Sequence, residues 1–299
     1  MIVVTGASGR TGGAMARALL DKAEKPRVVG RSSEKLDPLV QRGAKACVGS
    51  VEDKEFLASA FEGATVVYLV LPEDTSLIDL RAHQERISDC FAAAVSRAHV
   101  PYVIALSSIG AQHGAKTGPI VGLHNLEQKL ARISGLNLLC LRCGYFMENL
   151  LLSLGPLHAM GMLPGGLRAD FSMPWIATRD IGAYAAKRAV ACDFAGSWIQ
   201  ELHGQRDLSI QEAATIAGAA IGKPDLAYQQ LLFPVLEGAL AQMGMPQATV
   251  ALLIEMWTGA NAGLIVPQEP RSVENSTPTT LEAFAADVFA PAYAALADG

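Results

Sequence analysis

The chain has 299 residues, 51% hydrophobic and 18% charged, with a formal net charge of −5. That composition supports one large domain, or one domain with a smaller lobe, and excludes a disordered chain. The 24 Lys and Arg residues are scattered rather than clustered, so no basic footprint for nucleic acid is present.

From the start, the apolar run of residues 1–4 reads as a buried strand and "TGASGRTGG", Thr5 to Gly13, as the turn from that strand into a helix. Further strand-like runs follow at "RVVG", "KACVGS", "TVVYLVLP", "YVIALSS", "LNLLCLR" and "SWIQELHG". Most are too apolar to have one face in water. Helix-length segments with apolar residues at three and four spacing separate most of them, such as "EDKEFLASAFEG" and residues 77–100. Strand and helix alternating in this way predict an α/β fold with a doubly wound parallel sheet of Rossmann type. After His203 the strands are expected to stop, and Ser209 and Glu212 have capping-box spacing at the start of a helix. The expected division is a dinucleotide-binding domain over 1–150 and 174–205, with a smaller, mainly helical lobe over 151–173 and 206–299.

Two stretches carry alternative readings. Cys140 and Cys143 in "CLRC" have the spacing of a redox or metal pair, but on a strand residues three apart face opposite sides, so no metal site is expected. Residues 246–267 are nearly long enough to span a bilayer, yet Glu255 sits inside them and no basic flank orients them. A buried helix followed by a loop is the better reading. Five cysteines without framework spacing, and no secretory signal before the first strand, point to a cytoplasmic protein.

The chemistry begins at Gly6, Gly9 and Gly12. G-x-x-G-x-x-G between a first strand and a first helix is where a dinucleotide's pyrophosphate rests on helix N-terminal N–H groups. At the end of the second strand, where a site for NAD usually carries Asp or Glu, this chain has Arg31, followed by Ser32, Ser33 and Lys35. A guanidinium offers a planar fork to a 2'-phosphate, so the expected cofactor is NADP, with NADPH preferred over NADH.

Together, "TGASGRTGG", "VGRSSEK", "GSVEDKEFLASAFEGATVVYLV", "GLHNLEQKLARISGLNLLCLRCGYFMENL", "PWIATRDIG" and "LSIQEAATIAGAAIGKP" resemble the NmrA-like family of atypical short-chain dehydrogenase/reductases, from Met1 to about Tyr228. The resemblance implies a substrate held between a Rossmann domain and a C-terminal lobe. It also implies an activity among NADPH-dependent quinone, dye and benzylic ether reductases, or a regulator that binds cofactor without turnover. Carried over by residue, Gly6, Ser8, Gly9, Arg10, Thr11 and Gly12 would hold the phosphates, and Arg31 the adenosine phosphate. Gly49, Ser50 and Val51 would lie near adenine, although Ser50 stands where relatives often have Asp. Leu71, Pro72 and Ser107 would flank the nicotinamide ribose, and Gly144, Tyr145 and Phe146 the nicotinamide. Tyr145, Phe146, Met147 and Asn149, with Trp175, are expected to touch substrate.

The Tyr-x-x-x-Lys dyad of ketone reductases is missing, because Asn125 stands four before Lys129. The helix around them buries Leu123, Leu126, Leu130 and Ile133, with Glu127 and Lys129 flanking that stripe and His124 near the nicotinamide end as the candidate proton donor. Tyr184 and Arg188 have a similar spacing but fall on a later helix. Without the phenol, the site favours a conjugated, quinone-like acceptor, which delocalises the charge left by a hydride. The alternative is an NADP-binding redox sensor that does not turn over. The partner expected is a small-molecule substrate, with neither nucleic acid nor membrane, and a homodimer is allowed.

Overall fold

The structure is a computed structural model and describes residues 1–297. The chain begins by alternating strand and helix: β1 (Ile2–Val4), α1 (Arg10–Asp21), β2 (Arg27–Gly30), α2 (Ser33–Val40), β3 (Lys45–Val48), α3 (Lys54–Phe61), β4 (Val66–Leu69), α4 (Leu80–Arg97), β5 (Tyr102–Ser108), α5 (Ile120–Ala131) and β6 (Asn137–Cys143). Next come β7 (Tyr145–Phe146), a 3-10 segment (Met147–Ser153), α6 (Leu154–Met160), β8 (Leu163–Gly165), β9 (Ser172–Ile176), α7 (Thr178–Ala191) and β10 (Ser197–Leu202). The last part holds β11 (Asp207–Ser209), α8 (Ile210–Ala220), β12 (Tyr228–Gln230), α9 (Phe233–Gln242), α10 (Gln247–Asn261), α11 (Leu281–Phe284) and, after a π turn, α12 (Ala290–Ala297).

Seven strands form one sheet in the order β10-β6-β5-β4-β1-β2-β3, with every pair parallel. One face is covered by α1, α2 and α7, whose Met15, Leu19, Leu36, Ile181 and Ala185 join Val4, Tyr68, Ile104 and Leu139 in one core. The other is covered by α3, α4 and α5, through Phe61, Ile87, Phe91, Leu126 and Leu130. Cys143 belongs to the first core and Cys140 to the second, as opposite faces of a strand require. Because β1 and β4 are neighbours while β2 and β5 continue outwards from them, the order reverses there. A crevice opens at the carboxyl end of the sheet at that point.

A third core collects Met147, Leu157, Leu163, Met173, Trp175, Ala213, Phe284 and Phe289. Around it the strands do not stop at His203: β11 pairs with β9 and β12 with β8. Each is three residues long, too short to show a period of two. Helix α8 opens with a capping box, the Ser209 hydroxyl accepting from the Glu212 N–H and the Glu212 carboxylate accepting from the Ser209 N–H at 2.7 Å. Residues 247–261 are a helix followed by a loop, and among the described residues no helix is long and apolar enough to cross a membrane.

Candidate active site

The crevice begins where β1 ends. Thr5 donates its hydroxyl to the Tyr68 carbonyl and accepts from the Val70 N–H at 2.9 Å, which ties the end of β1 to β4. Gly6 turns the chain with φ of +61°, a conformation that L side chains rarely adopt. At Gly12 a Cβ would stand 2.4 Å from the Gly6 carbonyl oxygen, so α1 can start this close to the turn only without a side chain. Gly9 is different. Its backbone is extended, at φ −94° and ψ −175°, and a Cβ there would meet only the Gly6 oxygen at 3.2 Å. That oxygen also accepts from the Gly9 N–H at 2.8 Å, so the turn is tight at Gly9 as well, though less so than at Gly12.

No side chain caps α1, and Ser8, Gly9 and Arg10 are exposed around its N-terminus, while Thr11 is buried beneath it. An uncapped helix start leaves N–H donors and a partial positive charge free for an anion. At the end of β2, Arg31 is exposed and, like Arg10 beside the turn, belongs to no ion pair among the described residues. Its charge, after hydrogen bonds from Ser76 and the nearby His83, helps to hold the Asp74 carboxyl below the usual range. Ser32 caps α2 by accepting from the Lys35 N–H at 3.4 Å, and Lys35 is exposed beside it.

The other expected contacts fall at the same end of the sheet, several of them with structural work of their own. Gly49 makes room for Phe56, whose ring would lie 2.6 Å from a Cβ there; the Ser50 hydroxyl accepts from the Glu52 N–H; Val51 leans on the second core. Leu71 is buried and Pro72 half-buried as the chain leaves β4. Gly144 lets the chain pass Pro174, whose carbonyl oxygen would lie 2.4 Å from a Cβ, and Phe146 leans on the first core.

Ser107 departs from expectation. Its hydroxyl is buried and donates to Glu127 at 2.5 Å, so its proton is committed inside the protein. Glu127, expected at the flank of α5, is itself 4% exposed and is gripped by Arg142 of β6, Nε to Oε1 at 3.0 Å and Nη2 to Oε2 at 2.6 Å. The arginine inside the apolar strand "LNLLCLR" was the signal, since a buried guanidinium requires a carboxylate. His124 is half-buried, its Nδ1 2.8 Å from the Ala111 carbonyl as donor and its Nε2 against Gly114. Lys129 points elsewhere, paired with Glu85 and Asp89. On α7, Arg188 donates to the Tyr184 hydroxyl at 3.0 Å and pairs with Asp193, so those two residues form a local structural pair.

A cleft of about 180 Å³ opens beside β7. Of the residues assigned from sequence to substrate or proton transfer, Tyr145, Asn149 and Trp175 line it, and Met147, Phe146 and His124 do not. Met147 is 1% exposed and fills the third core, so its substrate role is withdrawn. His124 is held to the loop after β5 by the Ala111 carbonyl and faces Gly114 rather than the cleft. Trp175 contributes a wall, its Nε1 donating to the Leu208 carbonyl at 3.0 Å, and Tyr145 meets it edge-on with centroids 4.8 Å apart.

Two further walls are Trp257 and Tyr228, of which only Tyr228 was not assigned from sequence. Gly165 makes room for the Tyr228 hydroxyl, and Gly166 for the Trp257 ring, each of which would lie 2.6 Å from a Cβ. The pair "GG" was the visible trace of that close approach. None of the residues lining the cleft is charged.

A glycine turn with an uncapped helix at a sheet's switch point defines a Rossmann-type dinucleotide-binding fold, and the uncharged aromatic cleft is the candidate small-molecule site. Residues 1–285 match the NmrA-like family, and the chain belongs to that family. It is similar to an NAD(P)H azoreductase of Xenophilus azovorans, 27% identical over 262 residues that cover 86% of each chain. A crystal structure of an NADPH-dependent quinone oxidoreductase from Escherichia coli with NADPH shares the fold at 23% identity and a TM-score of 0.80, covering 97% of this chain and 100% of that one. A structure described as a nucleoside-diphosphate-sugar epimerase from Staphylococcus aureus shares it equally, at 20% identity and a TM-score of 0.80, covering 96% and 99%.

Proposed function

We propose that the protein is a reductase that takes a hydride from NADPH and delivers it to a neutral, planar, conjugated acceptor of the quinone or azo type. An NAD(P)H-dependent oxidoreductase activity is supported by the family and by the likeness to an NAD(P)H azoreductase over most of both chains. The observation that carries the finer reading is the absence of charge from the cleft: a nucleoside diphosphate sugar would bring at least two phosphate charges into walls that offer no cation. Flat aromatic walls with a few hydroxyl and amide groups suit an uncharged conjugated ring.

Gly6, Gly9 and Gly12 with the N–H groups at the start of α1 would hold the pyrophosphate, since Gly9 is exposed beside a helix start that no side chain caps. Arg31, unpaired by any carboxylate at contact distance and flanked by Ser32 and Lys35, would hold a 2'-phosphate and set the preference for NADPH. Gly49, Ser50 and Val51 would border the adenine, and Leu71, Pro72 and Gly144 the nicotinamide end. The bound cofactor supplies the hydride. What the chain adds is orientation at the sheet's carboxyl edge and a cleft, formed with the lobe of residues 151–173 and 206–299, that keeps a flat acceptor beside it.

The test is steady-state NADPH consumption with a panel of neutral quinones and azo compounds beside nucleoside diphosphate sugars. The expected result is turnover with the neutral acceptors alone. Binding of NADPH without turnover on any neutral acceptor would favour the cofactor sensor, a reading kept in view by the missing Tyr-x-x-x-Lys dyad and by a Lys129 tied to Glu85 and Asp89.

A further inference from the structure

The cleft holds two phenols in different states. Tyr228 donates its proton to the Leu167 carbonyl at 2.8 Å, so only its lone pairs face outwards. Tyr145 makes no such bond. The buried side-chain polar atoms left without a partner among the described residues are Arg27 Nε, Tyr68 Oη, Gln112 Nε2 and Thr117 Oγ1. Tyr145 Oη donates no such bond and is not one of these sealed atoms, and its residue lines the cleft.

Its placement is also distinctive. Tyr145 lies two residues beyond Cys143, where β6 leaves the carboxyl edge of the sheet, and its register partner Trp175 holds the ring edge-on at 4.8 Å. It is therefore the phenol carried by the chain segment that joins the nucleotide crevice to the cleft. Burial pushes its hydroxyl above the ordinary phenol range, which the facing Asn149 amide opposes and the charge of Glu73 reinforces. A phenol kept neutral in this way stays a donor, and an amide N–H on its oxygen leaves the phenol proton free to point at a ligand.

We propose that Tyr145 is the catalytic hydrogen-bond donor of the cleft, giving its O–H to the oxygen or nitrogen on which negative charge develops as the acceptor is reduced, with Asn149 positioning it. This rests on the reductase reading for its use, though the donor itself is a property of the cleft. It would supply in a different place the hydrogen bond that the missing dyad cannot. Tyr145 keeps its own proton, and the reduced acceptor takes its final proton from water.

The test separates the donor from the reaction. Wild type and Tyr145→Phe, which keeps the ring against Trp175, are titrated without cofactor with 4-nitrophenolate, whose oxyanion imitates the developing charge, and with nitrobenzene, which has the same ring and no oxyanion. Tyr145→Phe is expected to lose about ten- to a hundredfold of the nitrophenolate affinity, the range for a hydrogen bond to a charged group, and none of the nitrobenzene affinity. The band shift of bound nitrophenolate should disappear with it, and kcat with a quinone should fall. Equal loss of both probes would mean a packing role, and no loss of either, or no binding of nitrophenolate to wild type, would overturn the assignment. If wild type binds nitrophenolate through Tyr145 yet consumes no NADPH, the reductase reading fails and the donor stands.

Discussion

The phosphate turn and the cleft are built on opposite plans. The turn is made of residues within eight positions of one another, and each glycine has a local reason: the sign of φ at Gly6, and the Gly6 backbone oxygen at 2.4 Å from a Cβ at Gly12 and at 3.2 Å from one at Gly9. The cleft gathers Tyr145, Asn149, Gly165, Gly166, Trp175, Tyr228 and Trp257 from five separate stretches of chain. A local site can be read from spacing. A gathered one requires knowing which elements meet.

The largest expected effect tests the reasoning about the turn. Gly9→Val should abolish NADPH binding in calorimetry and lower the melting temperature less than Gly12→Val, because a Cβ meets the Gly6 oxygen at 3.2 Å from Gly9 and at 2.4 Å from Gly12. Gly12→Val should lose binding and stability together, since its Cβ has no space. If both variants melted like wild type, the steric division within the turn would be broken.

Next in size is the buried pair beneath the carboxyl edge. Glu127→Leu leaves Arg142 buried without its partner and should cost about 3–5 kcal/mol in urea unfolding. Adding Arg142→Leu should restore much of that loss, which a pair of unrelated defects would not do.

A smaller and more selective effect is expected at Arg31. Arg31→Ala removes a charge-assisted contact worth about 1.5–3 kcal/mol, roughly ten- to a hundredfold, from NADPH alone. NADH should bind as before, and equal losses for the two cofactors would make Arg31 a support of the loop rather than a phosphate reader.

The smallest concerns acid. Glu201 of β10 is 1% exposed, and although burial opposes its ionisation, hydrogen bonds from His203 and from the N–H groups of Glu269 and Gln268 hold its carboxyl below the usual range. A depressed carboxyl contributes stability that is present above its unfolded value and lost as pH falls through its folded one. Melting temperature should therefore fall in the acid range, with a shallower slope for Glu201→Gln; parallel slopes would remove Glu201 from the account.

The same contrast explains what was legible. The seven-stranded sheet, its two helical faces and the division of Cys140 from Cys143 follow from apolar runs and a period of two. Glu127 was placed at the edge of its helix because periodicity sees a charge as solvent-facing, and only its pairing with Arg142, 15 residues away on another element, puts it inside. Met147 sits one residue from β7 among residues that do line the cleft, yet the 3-10 turn that starts there directs it into the third core. Strands β11 and β12 are too short to carry a pattern, and without them the position of Tyr228 cannot be foreseen.

The central claim is that the crevice and the cleft act on one another through a hydride. Protein loaded with NADPH and mixed anaerobically with a neutral quinone should lose the reduced nicotinamide absorbance in a single turnover, more slowly when the transferred hydrogen at nicotinamide C4 is deuterium. Loss without an isotope effect would place a different step in control. Full retention of the absorbance, with cofactor and quinone both shown to be bound, would contradict the account.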